Sequence, residues 1–180
     1  AIDAGKHVFV AKPIAVDVPG CRLIAEAGKK ATSRRLVLLV DFQTRNDPLY
    51  REAVLRVRRG DIGRLVCGEA RYPWAGGSPP VPKTKEERLR YWYCFRELSG
   101  DFIIEQNIHT LDVATWFIDA DPLHATGSGG SKGLRSHGNI WDHFSAIYTF
   151  PDELILSFNS VQVIPGTPDA IPCRIYGSDG

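Results

Sequence analysis

HVFVAKPIAVDVPGCRLIAEAGKKATSRRLVLLV, residues 7–40, decides the class of fold. His7-Val8-Phe9-Val10 is a short run of β-branched and aromatic residues of the kind that forms a buried strand. Asp17 then offers a helix cap and Pro19 a first-turn proline. Leu23, Ile24 and Ala27 follow at helical spacing, and Lys29, Lys30 and Thr32 close the segment. Leu36-Val37-Leu38-Leu39-Val40 is a second buried strand. Strand, helix and strand joined by short connections make a βαβ unit, whose default geometry is a right-handed parallel crossover. Ala1-Ile2-Asp3-Ala4-Gly5-Lys6, just upstream, has the pattern of a last helical turn stopped by Gly5. The opening therefore predicts the tail of an open, parallel α/β domain.

Further along, Asp47-Pro48 caps a second helix with Leu49 or Tyr50, Ala53, Val54 and Val57 as its buried stripe and Gly60 as its end. Residues 65–74 have the pattern of a strand. Residues 76–87, with Pro79, Pro80 and Pro82, form a long charged loop of the kind that is a functional lid or mobile. A third helix spans about 101–118. β-patterned segments follow at 123–127, 143–150, 153–163 and 173–176, divided by Pro151-Asp152, Pro165-Gly166 and Pro168. Strands in series with hairpin-like turns predict an antiparallel sheet. The fold class is then α/β plus α+β: the end of a parallel domain followed by a mostly antiparallel open sheet.

The chain has 180 residues, 43% apolar and 24% charged, with a net charge of +1. That balance supplies no basic field for nucleic acid or anionic lipid. The apolar run at residues 36–40 falls far short of the ~20 residues that span a bilayer. Cys21, Cys67, Cys94 and Cys173 are too far apart for structural zinc and too few for a disulfide scaffold, so reduced thiols in a cytoplasmic protein are expected. There is no methionine, and the chain is read as an excerpt of a longer protein.

The chemistry concentrates in the third helix. Glu105, His109 and Asp112 are spaced i, i+4, i+7 and share one helical face with Trp116, amid an otherwise apolar surface. Three readings stand: a solvated salt-bridge face, a metal site (weak, since His-Glu-x-x-His is absent), or a histidine acid/base tuned by flanking carboxylates. Lys12 directly follows the first strand, at the end where open parallel sheets place their ligand crevices. On its own it reads first as a surface lysine.

Three stretches carry a resemblance: AGKHVFVAKP (4–13), RNDPLYREAVLRVRRGDIG (45–63) and GDFIIEQNIHTLDVATW (100–116). In this order, and over essentially the whole chain, they resemble the glucose–fructose oxidoreductase/inositol dehydrogenase (Gfo/Idh/MocA) family of nicotinamide-dependent oxidoreductases. The resemblance implies that residues 1–43 end a Rossmann dinucleotide-binding domain. It implies that residues 44–180 form a substrate-binding and oligomerisation domain, cut short at its C-terminus. Lys12 matches the lysine of the family's Glu-Lys-Pro motif and His109 its catalytic histidine. Glu105 stands where many members have aspartate, and Asp112 matches an acidic position one turn after the histidine. Two departures stand out: Ala11 replaces the motif glutamate, and no G-x-G-x-x-G phosphate-binding turn occurs. The glycines at 127, 129, 130 and 133 are read as a flexible loop.

What this implies is hydride transfer between NAD or NADP and a secondary alcohol of a sugar or cyclitol, in a homo-oligomer. His109 is the implied base, with Glu105 and Asp112 orienting it and raising its pKa. Lys12 donates to the substrate oxygen. Lys12, Pro13, Gln43 and Arg45 face the cofactor crevice, while Trp92, Tyr93 and Arg96 form a wall for the polyol or, alternatively, pack ordinarily. The competing classes are a non-catalytic sugar-binding or oligomerising sheet module and a hydrolase using Glu105 and His109.

Overall fold

The computed structural model describes residues 1–166 and 172–180, so Pro168, expected to break the last strands, lies outside the described residues. The opening is a parallel pair, β1 (Val8–Ala11) and β2 (Leu38–Asp41), joined by α1 (Val18–Ser33). Asp17 caps α1 by accepting from the Gly20 amide, and Gly5 ends a preceding 3-10 turn with left-handed backbone. Leu23 is 71% exposed, so the buried side of α1 is carried by Ala31 with the half-buried Ile24 and Ala27.

A second helix, α2 (Pro48–Arg59), is capped by Asp47 and stopped by Gly60 at φ 91, a conformation that favours glycine. Its inward stripe runs through Tyr50, Ala53, Val54 and Val57, whereas Leu49 faces out. β3 (Leu65–Trp74) enters the main sheet. Within the expected loop, α3 (Lys85–Arg90) forms instead: the Thr84 hydroxyl accepts from the Glu87 amide, and the Glu87 carboxylate accepts from the Lys83 amide. This is close to a capping box, overlooked among the prolines.

The expected single helix over 101–118 is in fact two: α5 (Phe102–Glu105) and α6 (Ile108–Ile118), preceded by α4 (Arg96–Ser99). Four strands complete the sheet: β4 (His124–Gly130), β5 (His143–Thr149), β6 (Ile155–Gln162) and β7 (Cys173–Gly177). Their order is β4-β5-β6-β3-β7, antiparallel except for the parallel β3–β6 pair. Residues 127, 129 and 130 are therefore strand, a correction to the loop reading. A Cβ on Gly129 would sit 2.6 Å from the His143 carbonyl and 2.7 Å from the Trp141 ring, so the strand approaches its neighbour only because side chains are absent.

The core lies between one sheet face and α6, where Tyr72, Ala114, Phe150, Leu156 and Phe158 are almost fully buried. Alternate residues of β6 point inward, as a one-sided sheet requires. No helix is long and apolar enough to cross a membrane among the described residues. All four cysteines are free thiols.

Candidate active site

β1 delivers Lys12 to its carboxyl end, where a cis Lys12–Pro13 bond follows. The Lys12 ammonium meets residue 105, 93 positions on in the chain: it donates to the Glu105 carboxylate at 2.8 Å and also to the Glu105 main-chain carbonyl. Both side chains are largely withdrawn from water, 18% and 10% exposed. Two of the three ammonium N–H groups are thus committed, and the third remains for a ligand oxygen.

The 101–109 segment is held from several directions. Asp101 caps α5 through the Phe102 amide, accepts from the Trp141 amide with both oxygens, and pairs with Arg96 at 3.0 Å. Gly100, at φ 73, lies against residue 16, and a Cβ there would fall 2.7 Å from the Val16 carbonyl. The turn between α5 and α6 is fixed by Tyr72, whose hydroxyl donates to the Gln106 amide oxygen at 2.7 Å.

His109 lies just beyond that break, edge-on to the Phe42 ring. The break removes the simple i, i+4 geometry expected of Glu105 and His109. Neither Glu105 nor Asp112 hydrogen-bonds the imidazole, and Nδ1 is buried with no partner among the described residues. The expectation of a raised histidine pKa is corrected as well. Burial, and next the Lys12 ammonium, hold His109 below the ordinary value, outweighing the opposite pull of Glu105, Asp112 and Asp41. Desolvation disfavours the imidazolium more than the surrounding carboxylates favour it.

Asp112 turns instead to Arg45, which grips it with Nε and Nη2 at 2.8–3.1 Å and lies over the Trp116 ring. This engages two of the three guanidinium nitrogens of Arg45 with a carboxylate. Gln43, on the same 3-10 turn (Gln43–Asn46), lines a cavity of about 170 Å³ together with Thr44, Tyr50, Tyr72, His109 and Thr110. Trp92 and Tyr93 stack edge to face on a 3-10 turn before α4, and burial pushes the Tyr93 hydroxyl pKa up. Arg96 is engaged by Asp101 and the Asn139 carbonyl and lies over Trp141. The structure thus brings Lys12, Glu105 and His109 together, pairs Arg45 with Asp112, and ties Arg96 into the 139–141 loop. Thr44, Tyr50, Tyr72 and Thr110 had no sequence signal, because the cavity draws them from four separate elements. Among the described residues no group of three or more His, Cys, Asp or Glu is placed to hold a metal.

A crevice-end lysine from a parallel βαβ unit, set against a histidine helix on an open mixed sheet, defines an α/β plus α+β class. The profile of the GFO/IDH/MocA C-terminal domain matches residues 50–180, and the chain belongs to that family. It is 28% identical over 180 residues to an inositol 2-dehydrogenase of Acidothermus cellulolyticus, covering all of this chain and 47% of that protein. It is 26% identical over 129 residues to a scyllo-inositol 2-dehydrogenase (NAD(+)) of Bacillus subtilis, covering 72% of this chain and 33% of that protein. An oxidoreductase domain protein from Kribbella flavida superimposes with a TM-score of 0.85 at 23% identity, over 99% of this chain and 48% of that one. The chain spans at most about half the length of these relatives.

Proposed function

We propose that this chain carries the catalytic side chains of an NAD(P)-dependent oxidoreductase acting on a secondary alcohol of a sugar or cyclitol. Residues 1–43 are the end of its Rossmann domain, and residues 44–180 are its substrate domain, through which it associates with further copies. The observation that carries the reading is the meeting of the Lys12 ammonium, the Glu105 carboxylate and a half-buried, neutral His109 at the carboxyl end of a parallel strand. The names of the inositol dehydrogenase relatives support the same substrate class.

The donor set fits the nicotinamide end of the cofactor: Lys12 and Pro13 border it, with Gln43 on the adjoining turn. The pyrophosphate end has no counterpart, because the sequence contains no G-x-G-x-x-G. When bound, the nicotinamide supplies the hydride acceptor. Lys12 uses its remaining N–H to bind the substrate oxygen and to stabilise negative charge on it. Glu105 holds that ammonium in place. His109, kept neutral by burial, takes the hydroxyl proton. Arg45 and Asp112 lock the Gln43–Asn46 turn to α6 and so set the position of His109. Trp92 and Tyr93 wall the polyol, and Arg96 secures that wall through Asp101.

The test is NAD(P)H formation by the natural protein with inositols and simple sugars. His109→Ala should lower kcat about 10²–10⁴-fold, the usual cost of losing a general base, while nicotinamide binding is retained. Unchanged turnover in that variant refutes the assignment.

A further inference from the structure

Oxidising a secondary alcohol breaks a C–H and an O–H bond. A bound nicotinamide would take the C–H hydrogen with its electron pair, and the O–H proton passes to His109. A half-buried imidazole beside an ammonium, its pKa held below the ordinary value, does not keep that proton at neutral pH. Of the charged groups around it, Lys12 after β1 is bound to Glu105 of α5, Asp112 of α6 is gripped by Arg45, and Asp41 at the end of β2 makes no hydrogen bond to Nδ1. His109 lines the cavity of about 170 Å³ together with Gln43, Thr44, Tyr50, Tyr72 and Thr110. A polar cavity needs only about 10–15 Å³ and a few polar partners to hold a water. Both His109 Nδ1 and Thr110 Oγ1 are buried polar atoms with no partner among the described residues, the situation that ordered water ordinarily resolves. Cys173 also lines the cavity, but burial pushes its thiol up to about 11, so it offers no thiolate as acceptor.

We propose that this cavity is a hydrated proton outlet for His109, its water held by the hydroxyls of Thr110 and Thr44. The imidazolium hands its N–H proton to a cavity water, neutral imidazole is regenerated, and the water passes one proton to bulk solvent. Thr44 and Thr110 are positioning residues, since they act on the proton only through that water. The inference rests on the oxidoreductase reading above.

Thr44→Val and Thr110→Val remove the hydroxyls at nearly constant volume, and the test is run with both together in the natural protein. Loss of part of a proton-transfer path should lower kcat about tenfold. The solvent deuterium isotope effect on kcat should rise, KM for the alcohol should stay the same, and added imidazole buffer should restore the rate. A rate loss that imidazole does not restore, or an unchanged kcat and isotope effect, overturns the proposal. A high-resolution crystal structure reads it without activity: water within hydrogen-bond distance of Thr110 Oγ1 supports it, and a dry cavity overturns it. If the unsubstituted protein oxidises no polyol, the oxidoreductase reading fails by itself, while the crystallographic result still decides whether the cavity is wet.

Discussion

Glu105→Gln isolates the charge that holds Lys12, because it keeps the side-chain length and the main-chain carbonyl while removing the negative charge. In the native protein the ammonium donates to the carboxylate at 2.8 Å and to the Glu105 carbonyl. With exposures of 18% and 10%, neither side chain recovers full hydration when its partner is neutralised. Stranding one member of a buried ion pair costs about 3–5 kcal/mol. The glutamine oxygen and the retained carbonyl still accept from the ammonium, each bond offsetting about 1 kcal/mol, which brings the expected loss to about 1–3 kcal/mol. At about 2–4 °C per kcal/mol for a chain of this length, Tm should drop by roughly 2–12 °C. Urea unfolding followed by circular dichroism should show a lower midpoint at unchanged slope. Lys12→Met/Glu105→Leu discards both charges together and should recover most of the loss, since apolar replacement of a buried pair is often neutral. A Glu105→Gln variant within about 0.5 kcal/mol of the parent, an effect typical of an exposed position, would show that the pair contributes nothing. A double variant no better than the single one would refute the stranded-charge argument.

The remaining predictions concern pH and the cofactor. His109 titrates lower in the folded chain than in the unfolded one, so the unfolded state binds more protons in the window between the two values. Stability should therefore fall as pH drops below about 6.5 and level off once the folded value is passed. His109→Leu should flatten that fall, and an identical pH profile in the variant rules out His109 as its source. NADH titrated into the 180-residue chain should show no micromolar binding by calorimetry, because no glycine-rich turn is present to meet the pyrophosphate. A micromolar dissociation constant would place the cofactor on residues assigned above to other roles.

Local signals were legible wherever a few neighbouring residues settle the matter. The caps at Asp17 and Asp47 and the stop at Gly60 are formed within one turn of chain, and each appears where the residue types place it. The alternation of β6 survives because one of its faces packs into the core and the other does not. Residues 128–130 gave no such signal, since the β-pattern read at 123–127 stops before them. A strand of glycines has no side-chain period, and it is specified by the crowding of its partner, where Gly127 approaches the Ser145 carbonyl and Gly129 the His143 carbonyl. The break at residues 106–107 was hidden for a related reason. The sequence there is good helix, and a tertiary hydrogen bond from Tyr72 to Gln106 accompanies the interruption.

The chemistry divides along the same line. The residue types and their order by themselves determined the βαβ opening, the lysine at a strand's end, and a helix bearing two carboxylates and an imidazole; these features suffice for the family resemblance. Only the tertiary structure decided the partners: Glu105 went to Lys12, Asp112 went to Arg45, and His109 was left without either. It also decided the sign of the histidine's shift, downward rather than upward. The physical reason is that spacing along a helix brings charges near one another but does not say what else arrives from 60 or 90 residues away. It is equally silent on how much water is excluded when that happens, and desolvation outweighs the pull of carboxylates that are already paired.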